Sequence, residues 1–176
     1  MRLLGVVLAG GRSSRFGSDK ALALLAGRTL LDHAIAGLAP HVEAVAICGR
    51  QVPGFAAIAD RPRPGLGPLG GLAGALRYGA DHGYAGVLTT GCDMPVFPPE
   101  LAQALIGEGA AVLDSQPLAA FWPCALDDAL DMWMAAQDDR SLRGFARHAG
   151  ARQIAMPDLD LPNINRTEDL DALAKR

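Results

Sequence analysis

Leu3-Leu4-Gly5-Val6-Val7-Leu8 runs directly into Ala9-Gly10-Gly11-Arg12-Ser13-Ser14-Arg15-Phe16-Gly17-Ser18-Asp19-Lys20, and this junction decides the fold. A short apolar run rich in Leu and Val reads as a buried strand. The paired glycines then let the backbone turn and approach a ligand with no Cβ in the way. Hydroxyls at Ser13 and Ser14 follow, with cations at Arg12, Arg15 and Lys20. A glycine turn plus cations after a strand is the composition of a loop that holds phosphates. The spacing is neither G-x-x-x-x-G-K-[ST] nor G-x-G-x-x-G. A solvated surface turn is the competing reading of an isolated Gly-Gly, and three cations within nine residues weigh against it.

Working outward, 176 residues suffice for one domain, 1–176, with a substantial core. Half the residues are apolar but only 5% are aromatic, which favours helices packed on a sheet over an aromatic sandwich core. A net charge of −3 gives no global drive towards nucleic acid or anionic membranes, so phosphate binding must come from a local cluster. No apolar stretch approaches the roughly 20 residues that span a bilayer, and the start of the chain lacks a secretory pattern. Cys48, Cys92 and Cys124 are widely spaced and odd in number, as expected of reduced thiols. The expected location is the cytoplasm.

Apolar periodicity predicts strands around Val42 to Ile47, Phe55 to Ala59 and Ala85 to Thr90. Helices are expected from Thr29 to about Leu38, from near Leu69 to about Gly83, and after Pro98-Pro99 to about Ile106. Strands at 110–113 and 118–122 read as a hairpin around Asp114-Ser115-Gln116-Pro117. Helical patterns then cover 125–136 and 141–148, a short strand lies around Ile154, and a last helix closes the chain. Alternating strands and helices imply a doubly wound α/β architecture, mostly parallel, with helices on both faces. The late hairpin could add an antiparallel strand.

In such a sheet, ligands sit outside the carboxyl ends of the strands. The loop from Gly10 to Lys20, Asp60 and Asp93 all follow strands, so they converge on one edge. Asp93, between Gly91 and Pro95, is a rigidly placed carboxylate of the kind that binds Mg²⁺ together with substrate phosphates and water. Taken alone, an Asp before a helix is more often a cap or turn residue. Asp60 is equally a solvated loop carboxylate or a partner of Arg61 or Arg63. Asn163 and Asn165 stand two apart, so an extended backbone turns both amides the same way. Asn165 is also a candidate cap of the last helix, with Glu168 three residues on. Arg140 and Arg143 read as solvated helix arginines. Trp122 and Trp133 read as core or flank, and no chemistry is assigned to His33, His41, His82 or His148.

Three segments carry a resemblance. L-A-G-G-x-S-x-R-F-G-x-D-K (8–20), Gly91-Cys92-Asp93-Met94-Pro95 and Gly67-Pro68-Leu69-Gly70-Gly71-Leu72 resemble motifs of the molybdenum cofactor guanylyltransferases, within the larger nucleotidyltransferase group. The resemblance implies that Leu8, Ala9, Gly10, Gly11 and Lys20 hold the triphosphate and that Asp60 contacts the guanine nucleotide. It also implies Asp93 on Mg²⁺, and Asn163 and Asn165 near metal and substrates. Lys20, Arg15 and Asp93 become the catalytic set. The implied reaction joins GMP from GTP to molybdopterin, as its molybdenum cofactor, with release of pyrophosphate. Transient contacts with other cofactor-handling proteins are also implied.

Three departures stand out. Cys48-Gly49-Arg50 occupies the place of a frequent Asn, Gln116-Pro117 that of a frequent His-Pro, and Arg166-Thr167 that of Thr-Pro. A cytidylyltransferase using CTP is the nearest rival, although such proteins tend to read L-A-A-G where this chain has Leu8-Ala9-Gly10-Gly11. A non-catalytic nucleotide-binding protein is the rival of another class.

Overall fold

The computed structural model describes residues 1–10 and 19–175. The expected Leu3–Leu8 run is strand β1, buried along nearly its whole length. A small ribbon follows, β2 (Leu24–Leu25) and β3 (Arg28–Thr29), which the sequence pattern did not suggest. Its two-residue loop, Ala26 and Gly27, has positive φ at both positions (50° and 78°), the geometry that lets a tight hairpin follow the twist of its strands. Helix α1 (Leu30–Leu38) starts at a capping box: the Thr29 hydroxyl accepts from the Asp32 amide at 3.0 Å, and the Asp32 carboxylate accepts from the Thr29 amide at 3.2 Å.

Strands β4 (Ala44–Cys48) and β5 (Ala56–Ile58) lead to helix α2 (Gly67–Asp81). This helix begins two residues before the expected Leu69, with Pro68 in its first turn, where a missing N–H costs nothing. Strand β6 (Gly86–Gly91) and helix α3 (Pro99–Leu105) come next. They are followed by β7 (Ala111–Leu113), β8 (Ala120–Pro123), α4 (Asp127–Ala136), α5 (Leu142–His148), β9 (Arg152–Ile154) and α6 (Thr167–Ala174).

The main sheet has the order β5-β4-β1-β6-β8-β7-β9. Every pairing is parallel except those of β8, which runs against both β6 and β7. The hairpin therefore contributes the expected antiparallel strand. The alternation of side chains along the strands divides the core. Leu3, Val7, Leu88 and Phe121 pack under α1, α3 and α6, whereas Leu4, Val6, Val87 and Trp122 pack under α2, α4 and α5. Trp122 and Trp133 are core residues, as expected; Trp122 stacks on Phe145 and Trp133 meets the same ring at a tilt. All three cysteines are buried and unbridged. Among the described residues no helix is long and apolar enough to cross a membrane.

Helix α2 presents glycines where it meets the sheet and the segment after β5, and a side chain at them would meet neighbouring atoms at short range. A Cβ at Gly74 would collide with the Ala59 carbonyl oxygen and approach the Ile58 side chain to 3.0 Å. Gly74→Ala is expected to destabilise the protein by about 1–3 kcal/mol, the usual cost of overpacking a core. That corresponds to a fall in Tm of roughly 2–12 °C for a chain of this size. Differential scanning calorimetry checks it; an unchanged Tm would mean that the helix is free to back away from the sheet.

Candidate active site

Because β8 runs in reverse, the β7–β8 turn returns to the same edge at which β1, β4, β5 and β6 end. Four segments therefore meet there: the residues after β1, the β4 end, the β6 end and the hairpin turn. A fifth joins them after β9, since the Ile164 amide donates to the Asp93 carbonyl at 2.7 Å. Ile164 is buried and its neighbours Asn163 and Asn165 are exposed, so both amides lie on one side of an extended segment anchored at Asp93.

The β1 and β4 ends are joined through glycine. The Ala9 amide donates to the Cys48 carbonyl at 2.9 Å, and the Gly10 and Gly49 backbones then touch. Gly49 has φ +87°, and a Cβ there would collide with Gly10; a Cβ at Gly10 would meet the Gly49 Cα at 3.1 Å. In this chain, therefore, no side chain fits at Gly49, the middle residue of the Cys48-Gly49-Arg50 departure. The contact also gives Gly10 a packing role independent of any nucleotide base.

Beyond this seam opens a cavity of about 840 Å³, lined by Gly10, Gly49, Arg50, Gln51, Asp60 and Gly67 among others. Leu8, Gly10, Asp60 and Gly71 also border a smaller recess of about 120 Å³. The Asp60 carboxylate accepts from the Gly65 amide at 3.2 Å. It is not the partner of Arg61, whose guanidinium turns to Asp131 at 2.9 Å and Asp127 at 3.5 Å. The expected Asp60 position on the cavity wall is thus found, and the ion-pair alternative with Arg61 is not. The uncapped start of α2, at Gly67, opens on the same space, where its partial positive charge favours an anion.

Lys20 opens a short 3-10 turn, Lys20–Leu22, whose amide at Ala21 is capped by Asp19 at 3.2 Å. Arg50 grips both Asp19 oxygens at 2.8 and 2.9 Å, tying the position of Lys20 to the end of β4. Lys20 is half-buried. Burial lowers its pKa, while the carboxylates of Asp93 and, more weakly, Asp169 oppose that shift. Asp93 is the reciprocal case: burial raises its pKa first, and Lys20 and the Gln116 amide pull it back. The Cys92 thiol beside it is pushed up to about 12 by burial, which makes it inert. Gly11 and Arg15, both expected at the site, lie outside the described residues.

Two features of this edge were not evident in the sequence. The Gln116 side-chain amide donates to Asp93 Oδ2 at 2.9 Å. The last helix starts later than expected: Asn165 does not cap it, and Asp169, not Glu168, accepts from the Asn165 and Arg166 amides at 2.7 and 2.8 Å. Asp169 wins because Arg166 stands at the cap, which places Asp169 in the third helical position. Arg143 is not simply solvated either, as it donates to the Asp114 carbonyl at 2.8 Å.

The Asp93 carboxylate fits a divalent cation. Its Oδ1 is buried and has no side-chain hydrogen-bond partner among the described residues, and a buried hard anionic oxygen suits a hard cation. Among the described residues no group of three or more His, Cys, Asp or Glu side chains could cage a metal. A cation here would therefore draw its other ligands from substrate phosphates and water, as Mg²⁺ commonly does.

A doubly wound sheet whose carboxyl edge carries a cavity walled by Asp60 and an anion-favouring helix start, with the buried Asp93 carboxylate following β6 on the same edge, defines an α/β protein built to hold a phosphorylated ligand at its switch point. Residues 5–155 match the family model described as the MobA-like NTP transferase domain, and the chain belongs to that family. It is 44% identical to the molybdenum cofactor guanylyltransferase of Sinorhizobium fredii, an alignment covering 84% of this chain and 76% of that one. It is 39% identical to the same-named protein of Acidiphilium cryptum, over 97% and 93% of the two chains. Among solved structures, molybdopterin-guanine dinucleotide biosynthesis protein A from Archaeoglobus fulgidus superposes with a TM-score of 0.78 at 21% identity, over 98% of this chain and 97% of that one. A cytidylyltransferase from Thermus thermophilus, acting on 2-C-methyl-D-erythritol 4-phosphate, shares the fold with a TM-score of 0.72 at 15% identity, over 97% and 96%.

Proposed function

We propose that this protein is a molybdenum cofactor guanylyltransferase, which transfers GMP from GTP to the terminal phosphate of molybdopterin, as its molybdenum cofactor, and releases pyrophosphate. The observation that carries the reading is the cavity at the carboxyl edge of the sheet, walled by Gly10, Gly49, Asp60 and the uncapped start of α2. The buried Asp93 carboxylate follows β6 on the same edge, next to the strand that ends at Leu8.

In the reaction, a phosphate oxygen of the pterin attacks the α-phosphorus of GTP in line. The bond from that phosphorus to the bridging oxygen breaks, and pyrophosphate leaves with the electron pair. No covalent protein intermediate is required, so the protein's part is positioning and charge compensation. Lys20 and Arg15 are assigned to offset charge on the triphosphate, and Leu8, Ala9, Gly10 and Gly11 to bind it. Asp60 holds the nucleoside side of the cavity. Asp93 would hold Mg²⁺, which supplies neutralisation of the charge that builds on the phosphates. Asn163 and Asn165, anchored at Asp93, face the acceptor. Residues 1–176 act as one catalytic unit, in the cytoplasm, and the product passes to other cofactor-handling proteins through transient contacts.

The test is thermal stability with GTP, CTP, ATP and UTP, each with and without Mg²⁺. GTP with Mg²⁺ at 100 times its dissociation constant is expected to add about 2.7 kcal/mol, a rise in Tm of roughly 5–11 °C. A larger rise with CTP would transfer the assignment to a cytidylyltransferase. No rise with any nucleotide would overturn the reading.

A further inference from the structure

The Gln116 amide is held in place more firmly than a surface turn needs. Its own backbone amide donates to the Leu113 carbonyl at 3.2 Å, and its carbonyl accepts from the Ala119 amide at 2.9 Å. On the flanks, the Asp114 amide donates to the Ile154 carbonyl at 2.9 Å, Arg143 donates to the Asp114 carbonyl at 2.8 Å, and the Thr89 hydroxyl donates to the Leu118 carbonyl at 2.7 Å. The turn is thus fixed to β6, β9 and α5 at once. From it, the half-buried side chain of Gln116 reaches Asp93 Oδ2 at 2.9 Å.

The orientation of that amide follows from chemistry. A carboxylate only accepts, so the NH2 end must face it. The result is an asymmetric carboxylate: Oδ2 is engaged, while Oδ1 is buried without a side-chain partner among the described residues. Gly91 makes room for this arrangement, since a Cβ there would meet Asp93 Oδ1 at 2.5 Å and the Leu118 side chain at 2.6 Å. A neutral donor fixes the rotation of the carboxylate without cancelling its charge, as a lysine or arginine at this position would.

We propose that Gln116 is a positioning residue for the divalent cation: by holding Oδ2 it orients the Asp93 carboxylate so that Oδ1 is kept for the metal. This inference rests on the nucleotidyl-transfer reading. Groups that orient a metal ligand typically contribute about 10–100-fold to metal affinity. Gln116→Met keeps the length and removes the donor, and Gln116→Glu replaces the donor with an acceptor. Both leave the backbone hydrogen bonds of the turn intact.

The experiment titrates Mn²⁺ into wild-type protein with saturating GTP, following the loss of the free-ion signal by electron paramagnetic resonance, and repeats it on both variants. Kinetics at varied Mg²⁺ run in parallel. Gln116→Met is expected to weaken Mn²⁺ about 10-fold and to raise the half-saturating Mg²⁺ concentration by the same factor. At saturating metal its kcat should recover, with KM for GTP within about 2-fold of wild type. Gln116→Glu removes the donor but brings a second hard oxygen beside the metal, so it should bind Mn²⁺ more tightly than Gln116→Met. An unchanged Mn²⁺ constant in folded Gln116→Met overturns the inference, including the case in which activity falls and the residue serves the acceptor instead. Failure of the wild type to bind Mn²⁺ with GTP would overturn the transfer reading itself, and this inference with it.

Discussion

Asp93→Asn is expected to lower turnover by about 10³-fold while leaving a folded protein. The substitution keeps the size of the side chain and an oxygen that can accept from Gln116, but removes the charge on which a divalent cation depends. Removing one group that stabilises transition-state charge commonly costs 10²- to 10³-fold, and the proposed carboxylate for the metal, with no cluster of further acidic ligands among the described residues, belongs at the upper end. The stability of the apo protein should move the other way. Burial raises the Asp93 pKa in the folded state. Below the ordinary carboxylate range both states are protonated and nothing is lost. As pH rises, the unfolded chain ionises first, and stability falls until the raised folded pKa has been passed. Near neutral pH the wild type therefore carries the cost of a buried charge that Asn does not. Asp93→Asn should show a Tm at pH 7 equal to or above that of wild type without nucleotide, and no Mg²⁺-dependent gain with GTP. Single-turnover kinetics and calorimetry on the same samples check both halves. Unimpaired turnover would remove Asp93 from the mechanism and favour a metal-independent nucleotide binder.

Lys20→Ala is expected to reduce kcat/KM for GTP by about 10²-fold, the factor carried by a charged hydrogen bond of roughly 2.7 kcal/mol. Its half-buried position is what raises the effect above that of an exposed cation. Desolvation makes the ammonium more costly to hold, and an incoming triphosphate supplies the charge that compensates it. Lys20→Arg keeps the charge but spreads it over a planar fork in place of a compact ammonium, so it should recover only part of the loss. Steady-state kinetics with GTP varied at saturating acceptor, and the Tm gain with GTP, check the prediction. A variant that keeps the full Tm gain would show that the triphosphate lies elsewhere.

The parts of the fold that were legible in the sequence are those governed by local physics. The β1 run, the Thr29 cap and the proline-led start of α3 each declare themselves within a few residues. The convergence of Lys20, Asp60 and Asp93 was also legible, because strand ends in an α/β sheet share an edge. What remained hidden depends on register between distant strands. Gln116 reaches Asp93 only because β8 pairs Ala120 opposite Thr89, and nothing near position 116 announces that register. Ile164 meets Asp93 through a segment with no regular structure. The Asn165 cap failed by one residue, where two acidic residues in succession, Glu168 and Asp169, offered the same local pattern.

The Gly10–Gly49 seam makes its two positions unequal in what they tolerate. A methyl group at Gly10 would sit 3.1 Å from the Gly49 Cα, a tight contact that a shift of a few tenths of an ångström at the β4 end relieves. Gly49 has no such latitude, since its own conformation and its contact with Gly10 both exclude a side chain. Variation along this edge is therefore channelled: Gly10 accepts a small side chain wherever the end of β4 can give, whereas Gly49 accepts none.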